Sequence, residues 1–227
     1  ETFVITTSLS DEILEQNPEI KTRVKRLDEV TEKWLKAVLT GDIEGGKAWK
    51  GQIAAAGKMI KKMIKDVGFP KSAEDILGEN YNRLSKKIGE ENVAVAVRSS
   101  GISEDGQNNS FAGQYDTYLH RQGNKKVVDA TKKCLASQYN DGAIVYRNEG
   151  RLKASQDPLS ANPQDLDGAI EKSKRLSHED AKLAVVVQEM VNASASGVAF
   201  SIDSNTGANF ILIQANNGIG ASLVGGA

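Results

Sequence analysis

Several features are scarce in this 227-residue chain, and each scarcity excludes a class of protein. A single cysteine, Cys134, excludes an internal disulfide and favours a reducing compartment. The 29 lysines and arginines nearly balance the 30 aspartates and glutamates, so the chain lacks the broad positive charge typical of nucleic-acid binding or of attachment to an anionic membrane. No apolar run is long enough to span a bilayer, and no signal peptide is present. We therefore expect a cytoplasmic protein that binds neither nucleic acid nor membrane.

The composition that remains, 39% hydrophobic and 26% charged, is sufficient for a real core. Residues 1–90 carry apolar stripes at helical spacing that end at glycines, and they predict a mainly helical part. Residues 91–227 contain two continuous β-branched runs and predict a mixed α/β part, with a polar excursion outside the core near 151–180. The predicted fold class is α+β. Because the chain begins at Glu1 and ends in a glycine-rich tail, we expect a piece of a longer protein.

The most informative segment runs from residue 93 to 119, where a buried strand leads into Arg98, two hydroxyl residues and a polar loop rich in glycine. An arginine keeps its charge at neutral pH, and its planar fork matches a phosphate. Glycines allow backbone N–H groups to approach an anion. Taken alone, the segment is equally compatible with an ordinary loop in which Arg98 forms a salt bridge. The P-loop pattern GxxxxGK[ST] is absent.

Four stretches resemble one known family in the same order along the chain. Residues 97–119, VRSSGISEDGQNNSFAGQYDTYL, resemble the pattern VRSSA-x-x-ED followed by SFAGQ-x-D-T-x-L of the phosphoenolpyruvate synthase and pyruvate phosphate dikinase family. Residues 184–191, AVVVQEMV, are similar to VVVQ-x-MV of the same family. Residues 196–207, SGVAFSIDSNTG, and residues 3–7, FVITT, also match its segments. The chain is therefore identified as a member of this family.

The resemblance implies an ATP-grasp-like nucleotide-binding domain in which ATP lies between two α+β subdomains. It implies that Arg98 binds the phosphates and that Gly113 and Thr117 line the phosphate and ribose side. The hydroxyls of Ser99 and Ser100, which follow Arg98 directly, add further hydrogen-bond donors by their chemistry. It places the adenine against the hinge formed by Gln188, Glu189, Met190 and Val191. A strand end offers backbone N–H and C=O groups to an adenine edge, which agrees with that assignment, although a plain core strand would also explain these residues.

In such a family, ATP provides phosphoryl groups to a histidine on a separate domain and then to pyruvate or another acceptor, with Mg²⁺ bridging the phosphates. The implied partners are ATP and the phosphohistidine and pyruvate-binding domains of the same full-length protein. The family lysine and the Mg²⁺ ligands are expected outside this chain, and we assign no catalytic residue and no metal ligand within it. Ala221 stands where the family has a glutamate. His120 and His178 are expected to be surface residues.

Three functions stay open from the sequence. The first is the ATP-binding domain of a phosphoenolpyruvate synthase-like or pyruvate phosphate dikinase-like enzyme, which would be inactive as this piece alone. The second is the same domain in a relative that phosphorylates an antibiotic or a phenol, since these residues do not contact the acceptor. The third is a nucleotide-binding module without catalysis.

Overall fold

The computed structural model describes residues 1–101, 105–106, 109–110, 113–156, 166–203, 206–220 and 223. The sequence prediction for Ala221 therefore lies outside the described residues. The described chain forms two compact units, Glu1–Glu189 and Met190–Ala227. Among the helices that the structure describes, none combines the length and the apolar character needed to cross a membrane.

Unit 1 begins with a short strand, which is followed by a series of helices that agrees with the predicted helical part. The strand is β1 (Thr2–Ile5), and the helices are α1 (Ser8–Gln16), α2 (Pro18–Leu39), α3 (Ile43–Asp66) and α4 (Lys71–Ile88). Helix α3 begins at an N-cap, because the Asp42 carboxylate accepts a hydrogen bond from the Gly45 N–H. Helix α4 ends at Gly89, whose φ of 84° is the left-handed conformation that glycine adopts without strain.

The second half of unit 1 supplies most of the sheet. Its elements are β2 (Val95–Gly101), β3 (Asp105–Gly106), β4 (Asn109–Ser110), β5 (Thr117–Arg121), α5 (Asn124–Ala136), α6 (Asp141–Ser155), α7 (Leu166–Ser173) and β6 (Leu183–Glu189). The four-stranded sheet has the order β1-β6-β2-β5, and all its neighbours are antiparallel. Within the part of the chain that the structure describes, β3 and β4 form a separate two-stranded sheet. The α+β fold class predicted from the sequence is thereby confirmed.

Two hydrophobic clusters hold unit 1 together. The first packs α1, α4 and α5 against one face of the four-stranded sheet, with Val95, Val97, Val185 and Val187 all fully buried on the strands. The second lies between α2 and α3 and is closed by Tyr139 and Ile144. Helices therefore cover one face of the sheet, as the amphipathic patterns require.

A buried tyrosine ties the first cluster to the start of the central strand. Tyr81 on α4 is 0% exposed, and its hydroxyl donates to the Val93 carbonyl at 2.8 Å. The same hydroxyl accepts a hydrogen bond from the Gly123 N–H at 2.8 Å, just before α5 begins. One side chain thus joins α4, the approach to β2 and the approach to α5.

The division into compact units differs from the predicted boundary near residue 90. Strand β1 comes from the helical part, yet it pairs with β6 from Thr2↔Gln188 to Ile5↔Val185. Because helices and strands on both sides of residue 90 share one hydrophobic cluster, the chain is continuous in space there. The only boundary by compactness in the described residues comes after Glu189.

The polar excursion predicted outside the core contributes to the core, which corrects the sequence-based interpretation. Arg151 and Ser173 are 0% exposed, and Ile170 is 5% exposed. Composition alone does not reveal the partners that allow such burial: Arg151 Nη1 donates to Asp28, and the Ser173 hydroxyl donates to the Ile170 carbonyl. Residues 157–165 of this excursion lie outside the described residues.

Unit 2 is built on an antiparallel hairpin. Strands β7 (Ala195–Phe200) and β8 (Leu212–Asn217) pair in continuous register from Ala195↔Asn217 to Phe200↔Leu212. The Ser196 hydroxyl donates to the Gly218 carbonyl and joins the two strands at their open end.

Candidate functional site

Arg98 lies within β2, and strand alternation decides the direction of its side chain. Val95 and Val97 are fully buried against the helices, whereas Arg98 and Ser100 are exposed. Successive side chains of a strand point to opposite faces, so Arg98 stands on the face opposite the helices. No carboxylate of the described residues forms an ion pair with it. The salt-bridged loop arginine that the sequence left open is therefore not found in this part of the chain.

The register brings a second predicted residue beside Arg98. Arg98 is directly opposite Thr117 on β5, and direct cross-strand partners point to the same face. On the other side of β2, Arg98 is opposite Val186, and Ala96 is opposite Gln188 of β6. Thr117 and Gln188 are both exposed. We call the surface formed by Arg98, Ser100, Thr117, Val186 and Gln188 the open face.

Ser99 belongs to the opposite side of the sheet. Its hydroxyl donates to the Asp116 carbonyl at 2.8 Å, and its N–H donates to the same oxygen at 3.4 Å. The structure therefore does not bring the Ser99 hydroxyl onto the open face with Arg98. Ser100, two residues from Arg98, supplies the hydroxyl on that face. The phosphate-binding role of Ser99 stays a prediction, and the described contacts give its hydroxyl a structural partner.

Gly113 lies four residues before Thr117, just ahead of the strand. Its φ is 73°, and a side chain there would be strained even though the surrounding space is open. Glycine at this position therefore has a conformational reason in addition to the role that the resemblance implies. The part of the glycine-containing loop between Gly101 and Gly113 is described only at residues 105–106 and 109–110.

The four predicted hinge residues differ in environment. Gln188 and Glu189 end β6, where the Glu189 N–H donates to the Glu1 carbonyl at 2.9 Å. Met190 and Val191 begin unit 2, and Val191 is 74% exposed. The Gln188 side chain stands on the open face, whereas Glu189 is opposite Val95 and so projects to the helix-covered side. The adenine-side role of these four residues stays a prediction.

The two histidines have different surroundings, and one prediction for them is wrong. His120 is exposed, as expected, at a position with φ of 53° where the β2–β5 register shifts. His178 was expected at the surface, yet it is 0% exposed. It follows α7 and lies among polar groups of α2 and α6, which satisfy it in the interior. Its neighbours in sequence are polar, and that polarity suggested exposure.

Hydrogen bonds assign the protonation of His178. Its Nδ1 lies 2.6 Å from Arg147 Nη1, and a guanidinium can only donate. The proton is therefore on Nε2, which lies 3.1 Å from Asn148 Oδ1. Burial, followed by the charges of Arg147 and Arg151, lowers the pKa of His178 well below its ordinary value. This neutral, buried ring is unsuited to accept a phosphoryl group, and it lies in the helical layer rather than on the open face.

An acidic anchor holds the segment that contains His178. The Asp28 carboxylate accepts hydrogen bonds from the backbone N–H groups of His178 and Glu179, at 2.8 and 3.0 Å. It also accepts from Arg151 Nη1 at 2.7 Å. Burial raises the pKa of Asp28, while these hydrogen bonds and the arginine act in the opposite direction. The cluster has a structural role, and nothing in it contacts the open face.

Metal ligands were expected outside this chain. Within the residues that the structure describes, no group of three or more His, Cys, Asp or Glu side chains could hold a metal ion. The expectation that Mg²⁺ ligands lie elsewhere in the full protein stays a prediction.

The fold belongs to a class, the α+β nucleotide-binding domains of ATP-grasp-like architecture. The whole chain, residues 1–227, matches the family described as pyruvate phosphate dikinase, AMP/ATP-binding domain. The chain belongs to this family, and the resemblance found in its motifs is confirmed.

Curated relatives agree with this assignment. The chain is 35% identical to the probable phosphoenolpyruvate synthase of Methanothermobacter thermautotrophicus over 168 residues, 74% of this chain and 21% of that protein. It is 36% identical to the phosphoenolpyruvate synthase of Aquifex aeolicus over 173 residues, 75% of this chain and 17% of that protein. It is 34% identical to the phosphoenolpyruvate synthase of Pyrococcus furiosus over 169 residues, which are 74% of this chain and 18% of that protein. The chain thus spans about a fifth of the length of the curated relatives it matches.

Proposed function

We propose that this chain is the ATP-binding domain of a phosphoenolpyruvate synthase-like dikinase and that it binds the phosphates of Mg-ATP on the open face. The observation that carries the proposal is the pairing of Arg98 with Thr117 on an exposed sheet face. Arg98 has no ion pair with the described carboxylates, so its fork is available to a phosphate. The phosphoenolpyruvate synthases among its relatives support the dikinase assignment.

The roles divide by chemistry. Arg98 would hold phosphate oxygens by charge-assisted hydrogen bonds, and the Thr117 and Ser100 hydroxyls would donate to the same group. Gln188, Glu189, Met190 and Val191 would line the adenine. When bound, Mg²⁺ neutralises phosphate charge, and its ligands would come from residues outside this chain. The full protein would then pass a phosphoryl group to a histidine on another domain and on to pyruvate. The single cysteine of this chain excludes a disulfide within it, which favours a reducing compartment, and we propose a cytoplasmic location.

A titration of Mg-ATP tests the proposal. We expect Arg98→Ala to weaken binding by about 1.5–3 kcal/mol, or roughly 10- to 150-fold in Kd, which is typical of a charge-assisted hydrogen bond. The matched control is Arg83→Ala, which removes the same charge from an exposed position on α4, the helix layer on the other side of the sheet. Equal affinity of the Arg98 and Arg83 variants would remove Arg98 from the site. If the parent chain binds no Mg-ATP at millimolar nucleotide, the open face is not sufficient for nucleotide binding, and the proposal is refuted in that form.

A relative that phosphorylates a different acceptor remains the second candidate, because the acceptor does not touch this domain in either case. The product analysis of the full protein with pyruvate or with a phenolic or antibiotic acceptor separates the two.

A further inference from the structure

Asn140 occupies a position where its side chain would ordinarily cap the N-terminus of helix α6. It is the N-cap residue of α6, and asparagine is favoured there because its side chain can accept from the first turn. In this structure the Asn140 side chain makes no such cap. Its Nδ2 instead donates to Asp116 Oδ1 at 2.9 Å and lies 3.4 Å from the Gln114 carbonyl. Its Oδ1 accepts from the Lys61 ammonium of α3.

Asp116 is fully engaged by its neighbours. One carboxylate oxygen accepts from Asn140, and the other accepts from the Tyr118 hydroxyl at 2.9 Å. Its backbone carbonyl accepts from the hydroxyl and the N–H of Ser99. The thiol of Cys134 on α5 lies 3.5 Å from the same carbonyl oxygen. Four elements therefore converge on the residue that immediately precedes Thr117.

The strand that carries Thr117 needs such support. Among the described residues, β5 lies at the edge of the four-stranded sheet. It pairs there with β2 through Val95↔Arg121, Val97↔Tyr118 and Arg98↔Thr117, with a register shift between the first two pairs. A short, irregular ladder fixes an edge strand weakly. The position of Thr117 relative to Arg98 thus depends on the side-chain bonds made to Asp116 on the helix-covered side.

We propose that Asn140, supported by Lys61, is a positioning residue for nucleotide binding: by holding Asp116, it keeps Thr117 opposite Arg98 on the open face. This inference rests on the proposed function of that face. Asn140 itself faces the helix layer and would not contact the nucleotide. Neither Asn140 nor Lys61 belongs to a motif that carried the family resemblance.

The lead variant is Asn140→Asp, which keeps the shape and remains a good N-cap residue but places a carboxylate against that of Asp116. We expect the Kd for Mg-ATP to rise about tenfold, a typical coupling for residues in one hydrogen-bond network. The double variant Asn140→Asp with Asp116→Asn restores an amide–carboxylate bond of reversed polarity, and it should bring the Kd back to within about threefold of the parent. Asn80→Ala, at a partly exposed asparagine of α4, is the control and should not change the Kd.

The reactivity of the single cysteine, Cys134, provides an independent measurement that needs no nucleotide. Cys134 is 0% exposed, and its thiol contacts the carbonyls of Val97 and Asp116 at 3.5 Å. Displacement of Asp116 should open this contact, so Asn140→Asp should react with a disulfide reagent about tenfold faster under native conditions than the parent does. The double variant should react at the rate of the parent, and Asn80→Ala should as well.

Combination with Arg98→Ala separates this inference from the proposed function. If Asn140 acts by placing Thr117 beside Arg98, its replacement should weaken ATP binding by less than about twofold in the Arg98→Ala background. If Arg98→Ala leaves the Kd unchanged, the proposed function fails, and with it the nucleotide role of Asn140. If Arg98→Ala weakens binding but Asn140→Asp changes neither the Kd nor the thiol reactivity, only the positioning role is overturned. Full additivity of the two substitutions would also overturn it.

Discussion

Protonation of His178 should make the stability of this chain depend on pH in the mildly acidic range. The ring is fully buried, and its Nδ1 already accepts a hydrogen bond from Arg147. A second proton would have to reside on Nδ1, directly facing a guanidinium that cannot release its own proton. Burial and the charges of Arg147 and Arg151 therefore lower the pKa of His178 well below its ordinary value. The nearby Asp28 carboxylate binds Arg151 rather than the imidazole ring.

The sign and size of the effect follow from linkage. The unfolded chain takes up a proton on this histidine below a pH of about 6.5, and the folded chain does not, so the free energy of unfolding falls as the pH falls through that value. The slope approaches about 1.4 kcal/mol per pH unit. Between pH 7.5 and pH 5.0 the loss reaches about 2 kcal/mol when the folded state stays unprotonated throughout.

Urea unfolding at the two pH values measures this loss, and His178→Gln isolates it from other titrating groups. Glutamine can accept from Arg147 and donate to Asn148 without a charge change, so the variant should lose about 2 kcal/mol less than the parent between pH 7.5 and pH 5.0. His120→Gln at the exposed histidine is the control and should follow the parent. A His178→Gln variant with the same pH dependence as the parent would refute the reasoning.

Three further substitutions test the fold. Tyr81→Phe leaves the Val93 carbonyl and the Gly123 N–H without their buried partner. It should therefore lower the free energy of unfolding by about 1–3 kcal/mol in denaturant titration. A change below about 0.5 kcal/mol would contradict the role of this hydroxyl. Gly89→Ala places a side chain at a φ of 84° where the surrounding space is open, and thermal unfolding should show a loss of about 1 kcal/mol from backbone strain alone. Gly51→Ala, inside α3 and also facing open space, is the opposite case and should stabilise by about 0.5–1 kcal/mol.

The helices and strands could be predicted because their apolar spacing is strong and local. The run that contains Val95 and Val97 became the central strand, and Gly89 ended α4 as expected. Single side chains were harder to place: Ile76 lies in the apolar pattern of α4, yet it is 60% exposed. Helical spacing gives the direction of a side chain only to within a wide stripe, so residues at its margin cannot be assigned without the packing partner.

The site could be predicted in part for the same reason. Motif matches pointed to Arg98 and Thr117, and the register places the two opposite each other. They could not show that the Ser99 side chain points to the other side of the sheet. The apolar pattern ends the predicted strand before Arg98, whereas β2 continues to Gly101 and its side chains alternate through Ser99. They also could not reveal Asn140, whose partner Asp116 is 24 residues away in the chain. A polar residue at a helix start is normally interpreted as a cap, and only the tertiary structure shows a different partner.

Side chains of β2 alternate between the two faces of the sheet, so the residues that stabilise this domain lie on one face and those that would bind the nucleotide lie on the other. Val95 and Val97 face the helices and contribute buried apolar area, whereas Arg98 faces solvent and can be replaced at little cost to the core. Ser99 is the exception, because it lies on the core side and bonds the Asp116 carbonyl that adjoins Thr117. A substitution at Ser99 should therefore affect stability and binding together, whereas one at Arg98 should affect binding alone. The open face is thus held in place from the side of the sheet that the nucleotide would not touch.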